Sequence, residues 1–391
     1  MVKRTGRLVV VGAGVIGLSC AWRAAVGGWS VQLVDPCPCR GSSWVAGGML
    51  APVTEAWPGE EDLLELGAES LRSWPEFAAE LTEAARQPAG LRVDGTVVVA
   101  ASSGDRVELE DLARYLATLG RDVTALTARE LRRLEPSVGP DVRGGLSVPG
   151  DLAVDNRVLL AALRAAAERA GVDLVESGVT DVTSCSVRLT DGRQLEADAV
   201  LVAAGAASGT VHPPLAGLVR PVKGEIVRLR HRPSALPPPS RTVRAVVDGR
   251  PVYAVPRDGG GLVIGATQYE AGFDTEPVVG GVRDLLRDAE RILPGIAEYA
   301  LVETSAGLRP GTPDNLPIIG ALPDGVLVAT GHGRNGILLA PLTAAAVLAR
   351  LTGEPAVGAV AAAAPDRLLT MDSADSASSA GSASPASSAR R

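Results

Sequence analysis

The sequence predicts an α/β protein in which a doubly wound, mostly parallel sheet is intertwined with a second domain built on a mixed or antiparallel sheet. Three observations predict it. Residues 8–11 and 30–34 are short apolar or β-branched runs on either side of a helical stretch, a β-α-β unit closed within about 40 residues. Runs of the same buried-strand character return at 172–175, 199–202 and 326–330. Between them, residues 220–267 carry four short strand runs separated by Pro- and Gly-rich turns, as an antiparallel sheet does.

Taken in order, residues 12–17 form a turn and 18–27 a helix between the first two strands. Residues 36–48, mixed in Pro, Cys, Gly and Ser, read as a loop. Residues 60–85 place Leu63, Leu64, Leu66, Leu71, Trp74, Phe77 and Leu81 mostly three or four apart, a helix with one apolar face. Residues 91–101 read as a strand and 107–119 as a helix. Thr127 followed by Glu130 has capping-box spacing ahead of Leu131 and Leu134. Residues 148–155 read as a loop, with Asn156 placed to cap a helix over 157–170. Residues 187–189 form a strand that Asp191-Gly192 turns back toward Leu195. The antiparallel block comprises 226–229, 243–247, 252–255 and 262–264. Residues 281–293 and 337–351 are helices. Residues 372–391 are almost all Ser and Ala, with little to pack, and are expected to be disordered. No internal repeat interrupts this order. The expected division is 1–85, 151–215 and 301–365 in the first domain, 86–150 and 216–300 in the second, and 366–391 as a tail.

Composition excludes several classes. At roughly 150 residues per domain, 391 residues suit two domains, and 46% hydrophobic content supports a real core. Lys and Arg total 38 against 45 Asp and Glu, a net charge of −7, which argues against nucleic acid as a partner. Four Cys are too few for a disulfide scaffold. Cys37-x-Cys39 lacks the second pair that a metal site needs. Lys3 and Arg4 ahead of Leu8 imitate a signal peptide, but Gly12, Gly14 and Gly17 interrupt the apolar run. The stretch 337–351 contains Pro341 and Thr343 and is shorter than the ~18–20 residues of a membrane span. The expectation is a cytoplasmic protein without a membrane partner, with a homo-oligomer left open.

Gly12-Ala13-Gly14-Val15-Ile16-Gly17 has the G-x-G-x-x-G spacing, follows a strand and opens a helix. Gly12 allows the tight turn, Gly14 lets the backbone approach a pyrophosphate, and Gly17 lets helix and strand pack closely. The helix N-terminus favours the negative charge. Asp35, about 20 residues on, is placed to accept ribose hydroxyls. Together these predict a dinucleotide without choosing NAD or FAD. No second such motif follows a strand, which argues against a pyridine-nucleotide reductase. The small residues and hydroxyls of Gly41-Ser42-Ser43-Trp44-Val45-Ala46-Gly47-Gly48-Met49-Leu50 are suited to wrapping a pyrophosphate and a planar ring.

Two further stretches complete a pattern: Ala306-Gly307-Leu308-Arg309-Pro310-Gly311-Thr312-Pro313-Asp314-Asn315-Leu316-Pro317-Ile318-Ile319-Gly320 and Gly331-His332-Gly333-Arg334-Asn335-Gly336-Ile337-Leu338-Leu339-Ala340-Pro341. With them the chain, from about residue 7 to about 353, resembles the FAD-dependent glycine oxidases, the thiamine-pathway branch of the D-amino-acid and sarcosine oxidase family. The resemblance makes the first domain a Rossmann-like FAD-binding domain and the second a substrate domain. It implies cofactor contacts at Gly12, Gly14, Val15 and Gly17; at Asp35 and Pro36; at Ser42, Ser43, Gly47, Gly48 and Met49; at Val179 and Gly205; and along His332, Gly333, Arg334, Asn335, Gly336, Ile337 and Leu338. Sarcosine-type relatives hold FAD through a late Cys. Here Cys20, Cys37, Cys39 and Cys185 all come early, so non-covalent FAD is expected.

The substrate side follows from residue chemistry and the same resemblance. Arg309, in a rigid Pro/Gly-rich loop, offers a planar fork to a carboxylate. Tyr253, on an expected strand, offers a phenol to the same group, and Arg334 and Met49 are implied as further substrate contacts. The backbone of 331–336 is placed to stabilise charge on the reduced flavin, so His332 is not expected to serve as a base. Lys223 and Glu225 read as a structural pair. Three positions depart from the pattern: Gly333 replaces a common aromatic, Gln268 a common apolar residue, and Asp35 the commoner Glu. The implied reaction is oxidation of glycine, and of small amino acids such as sarcosine or D-alanine, with O2 as acceptor. A functional link to thiazole synthase goes with it. Other oxidases or dehydrogenases of the same family remain alternatives, as does a non-catalytic flavin carrier, against which Arg309 with Tyr253 argues.

Overall fold

Alternation along the first strand sets the layers. β1 (Arg7–Val11) turns Leu8 and Val10 to one face and Val9 and Val11 to the other, and all four are buried. In the computed structural model, which describes residues 5–354 and 358–369, β1 sits inside a six-stranded sheet. The order is 318–321, 327–330, 199–202, β1, β2 (Ser30–Val34) and 173–175. Neighbours run parallel except for the pairing of 318–321 with 327–330. Helices cover the Leu8 face: α1 (Val15–Val26), Glu61–Ala85, Asn156–Arg169 and Ala340–Thr352. There Trp22 and Trp74 meet Phe77 edge-on, with ring centroids 5.6 and 5.4 Å apart. A small antiparallel sheet of Val179–Val182, Ser186–Leu189 and Gln194–Glu196 covers the Val9 face. Burial on both faces is why these strands read as continuous apolar runs.

The second sheet has eight strands, in the order Ala300–Gly311, Arg220–Arg230, Gly261–Gly265, Arg250–Pro256, Thr242–Val247, Thr96–Ala100, Gly144–Val148 and Thr124–Leu126. All pairs are antiparallel except Thr242–Val247 with Thr96–Ala100. The helix Val279–Ile292 packs Leu285, Ala289 and Ile292 onto it, over Val227, Val243 and Ile264. A further three-stranded sheet, Met49–Leu50, Leu152–Val154 and Leu91–Arg92, joins distant segments beside the cavity described below. No helix among the described residues is long and apolar enough to cross a membrane.

Several expectations are corrected. The loop expected around Arg309 is the second half of the twelve-residue strand Ala300–Gly311, so the expected boundary at 301 falls inside a strand. Its Pro310 is tolerated because the strand lies at the sheet's edge. The loop expected at 148–155 contains the strand Leu152–Val154, and that expected at 36–48 contains a helical turn, α2 (Ser42–Val45). The strand expected over 91–101 breaks in two around Gly95, where φ is +77°. The expected helix 107–119 spans Ser103–Thr118, started by a Ser102/Asp105 capping box. Asp155, not Asn156, caps the next helix: its carboxylate accepts the N–H groups of Arg157 and Val158 at 3.0 and 3.3 Å. The last long helix begins at Ala340 rather than 337, with Pro341 in its first turn where no donor is lost. Lys223 and Glu225 are not a pair. Lys223 donates to Asp274 and to the Glu276 carbonyl. Glu225 accepts from Thr267 Oγ1, Tyr269 Oη and Val278 N. Both buried ions thus pin the return segment 267–278. The Ser/Ala tail lies outside the described residues.

Candidate active site

The β1–α1 turn is built so that only glycine fits. Gly12 has φ +107°, and a Cβ on it would lie 2.4 Å from the Ala203 carbonyl oxygen. A Cβ on Gly17 would lie 1.7 Å from the Gly12 carbonyl oxygen. Gly14 caps α1 without a side chain, and no acidic residue occupies the helix's first turn. Asp35, at the end of β2, accepts the N–H groups of Ala13 and Cys37, each at 2.7 Å. It therefore fixes the turn first, and each oxygen keeps a lone pair for a ligand hydroxyl. Ser43 of α2 accepts the Val15 N–H at 3.1 Å and ties the second cavity-lining segment to the first.

These elements open onto a cavity of about 1340 Å³. Of the expected cofactor contacts, Gly12, Gly14, Val15, Asp35, Pro36, Ser42, Ser43, Gly47, Gly48, Met49, Val179, Gly205, His332, Gly333, Arg334, Gly336 and Ile337 line it. Gly17, Asn335 and Leu338 do not. Gly17 works behind the turn, and the Leu338 carbonyl faces the helix layer, where Ser70 Oγ and Trp74 Nε1 donate to it at 2.6 and 2.8 Å. His332 is buried and its Nε2 lies 3.0 Å from Thr343 Oγ1; burial pulls its pKa down to about 3, so the imidazole stays neutral.

Arg309, Tyr253 and Gln268 line the same cavity. Arg309 donates from Nη1 to the Thr267 carbonyl at 3.1 Å, and no carboxylate among the described residues pairs with it. Its guanidinium lies across Gly224, where a Cβ would come within 2.1 Å of Nη1. The Tyr253 ring is seated between Gly47 and Gly265. Burial pushes its phenol up, against the pull of the Arg309 charge. Arg334 is differently placed. Its Nη2 donates to Glu60 Oε2 at 2.6 Å and to the Glu55 carbonyl at 3.1 Å. Glu55 in turn takes Arg244 Nη1 at 2.6 Å. The sequence reading missed this Arg244–Glu55–Arg334–Glu60 chain and the Gly224 seat; neither has a local signal, since the partners come from separate elements.

The profile of the family described as FAD dependent oxidoreductase matches residues 7–351. The chain belongs to that family. FAD is therefore its cofactor, and the turn fits it: a helix whose first turn carries no acidic residue and a backbone that a single Cβ would block are what a pyrophosphate needs. The oxidoreductase is similar to the glycine oxidase of Geobacillus kaustophilus, with 34% identity over 346 residues, 86% of this chain and 90% of that one. The crystal structure of glycine oxidase from that organism superposes with a TM-score of 0.85 at 32% identity, covering 92% of this chain and 98% of the other. The bifunctional protein ThiO/ThiG of Synechocystis sp. is 32% identical over 386 residues, 94% of this chain but 55% of that protein.

Proposed function

We propose that this FAD-dependent oxidoreductase oxidises small amino acids, glycine first, with O2 and water to the 2-oxo acid, ammonia and hydrogen peroxide. The observation that carries the reading is Arg309, a guanidinium without a carboxylate partner, facing the FAD cavity beside Tyr253. Bound FAD supplies the acceptor for the Cα hydride and returns the electrons to dioxygen. Arg309 grips the substrate carboxylate bidentately, and Tyr253 donates its phenol to the same group. Together they fix the α-carbon against the ring, which is the orientation term of the rate. Arg334 acts on the substrate through the Glu55–Glu60 chain rather than as a free cation. Burial holds His332 neutral and keeps the Tyr253 phenol protonated, so neither serves as a base, and no dedicated base is required if the amine binds neutral.

The glycine oxidase relatives support the substrate class, and the ThiO/ThiG relative supports a supply of the imine product to a thiazole synthase. FAD is held without a covalent bond: none of the four cysteines lines the cavity. We assign the six-stranded layer to the FAD domain and the eight-stranded sheet to the substrate domain. The test is the absorption spectrum before and after anaerobic glycine, run beside sarcosine, D-alanine and D-proline. Glycine should bleach the flavin, peroxide should appear on admitting air without nicotinamide, and acid should release the FAD. A flavin that no small amino acid reduces refutes the proposal.

A further inference from the structure

Residues 43–47 present one side to the cavity and are held from the other by four polar side chains, none of which lines it. Asn156, fully buried, donates from Nδ2 to the carbonyls of Ser43 and Trp44, each at 2.8 Å. Arg257 Nη2 donates to the Gly47 carbonyl at 2.6 Å, and Arg228 Nη2 to that of Trp44 at 3.4 Å. Both guanidiniums share Asn156 Oδ1, at 3.3 and 3.2 Å. Arg157 stacks on the Trp44 ring at 4.1 Å and gives its fork to Glu303.

The charges do not balance. Arg157, Arg228 and Arg257 face two carboxylates, Glu303 and Asp155, the latter 3.4 Å from Arg257 Nε. Arg228 and Arg257 are both buried, and burial pulls the Arg257 pKa down to about 10. Apolar side chains of similar size would fill such a site at lower cost to stability. Peptide planarity adds a directional consequence. With the Gly47 carbonyl drawn to Arg257, the Gly48 N–H faces the opposite way.

We infer that Arg257, Arg228 and Asn156 are positioning residues for FAD. They turn the carbonyls of Ser43, Trp44 and Gly47 away from the cofactor, and they set an uncompensated positive charge behind it that favours the added electrons. The inference rests on the expected FAD contacts at Ser42, Ser43, Gly47, Gly48 and Met49, all of which line the cavity. In the holoenzyme, Arg257→Met removes the charge and the donors at similar length, Arg257→Lys returns the charge without the fork, and Arg228→Gln keeps an amide donor without the charge. The measurements are FAD release on dilution, followed by flavin fluorescence, and the reduction potential from dye equilibration.

Arg257→Met should weaken FAD binding at least tenfold. It should also lower the two-electron reduction equilibrium about tenfold, roughly 30 mV. Arg257→Lys should recover the potential while FAD stays weakly held, and Arg228→Gln should lower the potential alone. A purely structural role would move stability and leave the potential where it was. Potentials equal to the wild type in Arg257→Met and Arg228→Gln overturn the inference; if Arg257→Met does not fold, Arg228→Gln decides alone. Wild-type protein that holds FAD but is not bleached by amino acids sinks the proposed substrate and leaves this result standing.

Discussion

Arg309→Ala separates the two arginines of the cavity. Arg309 has one neutral acceptor, the Thr267 carbonyl at 3.1 Å, so most of its hydrogen-bonding capacity is open to a ligand. A bidentate carboxylate on a half-buried guanidinium contributes about 1.5–3 kcal/mol. At about 1.4 kcal/mol per factor of ten, Arg309→Ala should raise the KM for glycine roughly ten- to a hundredfold. The same contact fixes the α-carbon, so kcat should fall as well. Arg309→Lys should be intermediate, because an ammonium keeps the charge but not the planar fork. Arg334→Ala is the contrast. Its charge is already met by Glu60 at 2.6 Å and by Glu55, so its effect on KM should be several-fold smaller. Flavin content and spectrum serve as the folding control, since the glycine turn that takes the pyrophosphate does not touch Arg309. An Arg309→Ala variant with full FAD and a KM within twofold of the wild type would falsify the carboxylate contact; a large KM effect from Arg334→Ala alone would move it to that residue.

Gly17→Ala should cost both FAD and stability, because its Cβ would sit 1.7 Å from the Gly12 carbonyl and force the turn open; a full flavin-to-protein ratio and an unchanged Tm would contradict this. Asp151 is buried, accepts from Thr54 Oγ1 at 2.7 Å, and has its pKa raised by burial to about 7. The folded chain keeps this proton while the unfolded chain loses it from about pH 4, so stability falls as pH rises from 4 to 7, by on the order of 4 kcal/mol, and is flat above. His332, depressed from 6.5 to about 3, slopes the other way between pH 3 and 6.5 but is common to both proteins. The Tm of Asp151→Asn relative to wild type should therefore climb from pH 4 to 7 and then level; a constant difference would mean that Asp151 ionises normally.

The cofactor end was legible because its chemistry is local. Gly12, Gly14, Gly17 and Asp35 lie within one β-α-β unit, the glycines acting through backbone and Asp35 through a carboxylate that the same unit brings to the turn. At the proposed substrate end Arg309 could be singled out by residue type, but its setting could not be read. Gly307, Pro310 and Gly311 read as a loop by propensity. The long antiparallel register with Arg220–Arg230 overrides that propensity, and it sets Val222 opposite Arg309 so that Gly224 becomes the guanidinium's seat. Lys223 and Glu225 sit two apart on one strand and so share a face. Proximity suggested a pair, whereas the return segment 267–278 gave each its own partners. The state of Arg334 could not be read at all, because Glu55 and Glu60 reach it from the other end of the chain.

The distribution of charge in the cavity bears on how the reaction handles protons. Arg334 and Arg244 are answered by Glu55 and Glu60, so that chain presents little net charge to a substrate. His332 is kept neutral and the Tyr253 phenol is kept protonated by the same cause, removal from water. Beside Tyr253, Arg309 is thus a lining guanidinium that has no carboxylate partner among the described residues. A carboxylate is attracted to Arg309, while Glu55 and Glu60, the carboxylates of the same lining, are engaged by Arg244 and Arg334. On the proposed reading, an amino acid bound with its amine neutral has its lone pair free to form the C=N bond as the Cα hydride departs. On that reading the residues act through binding and orientation, and the cofactor carries the chemistry.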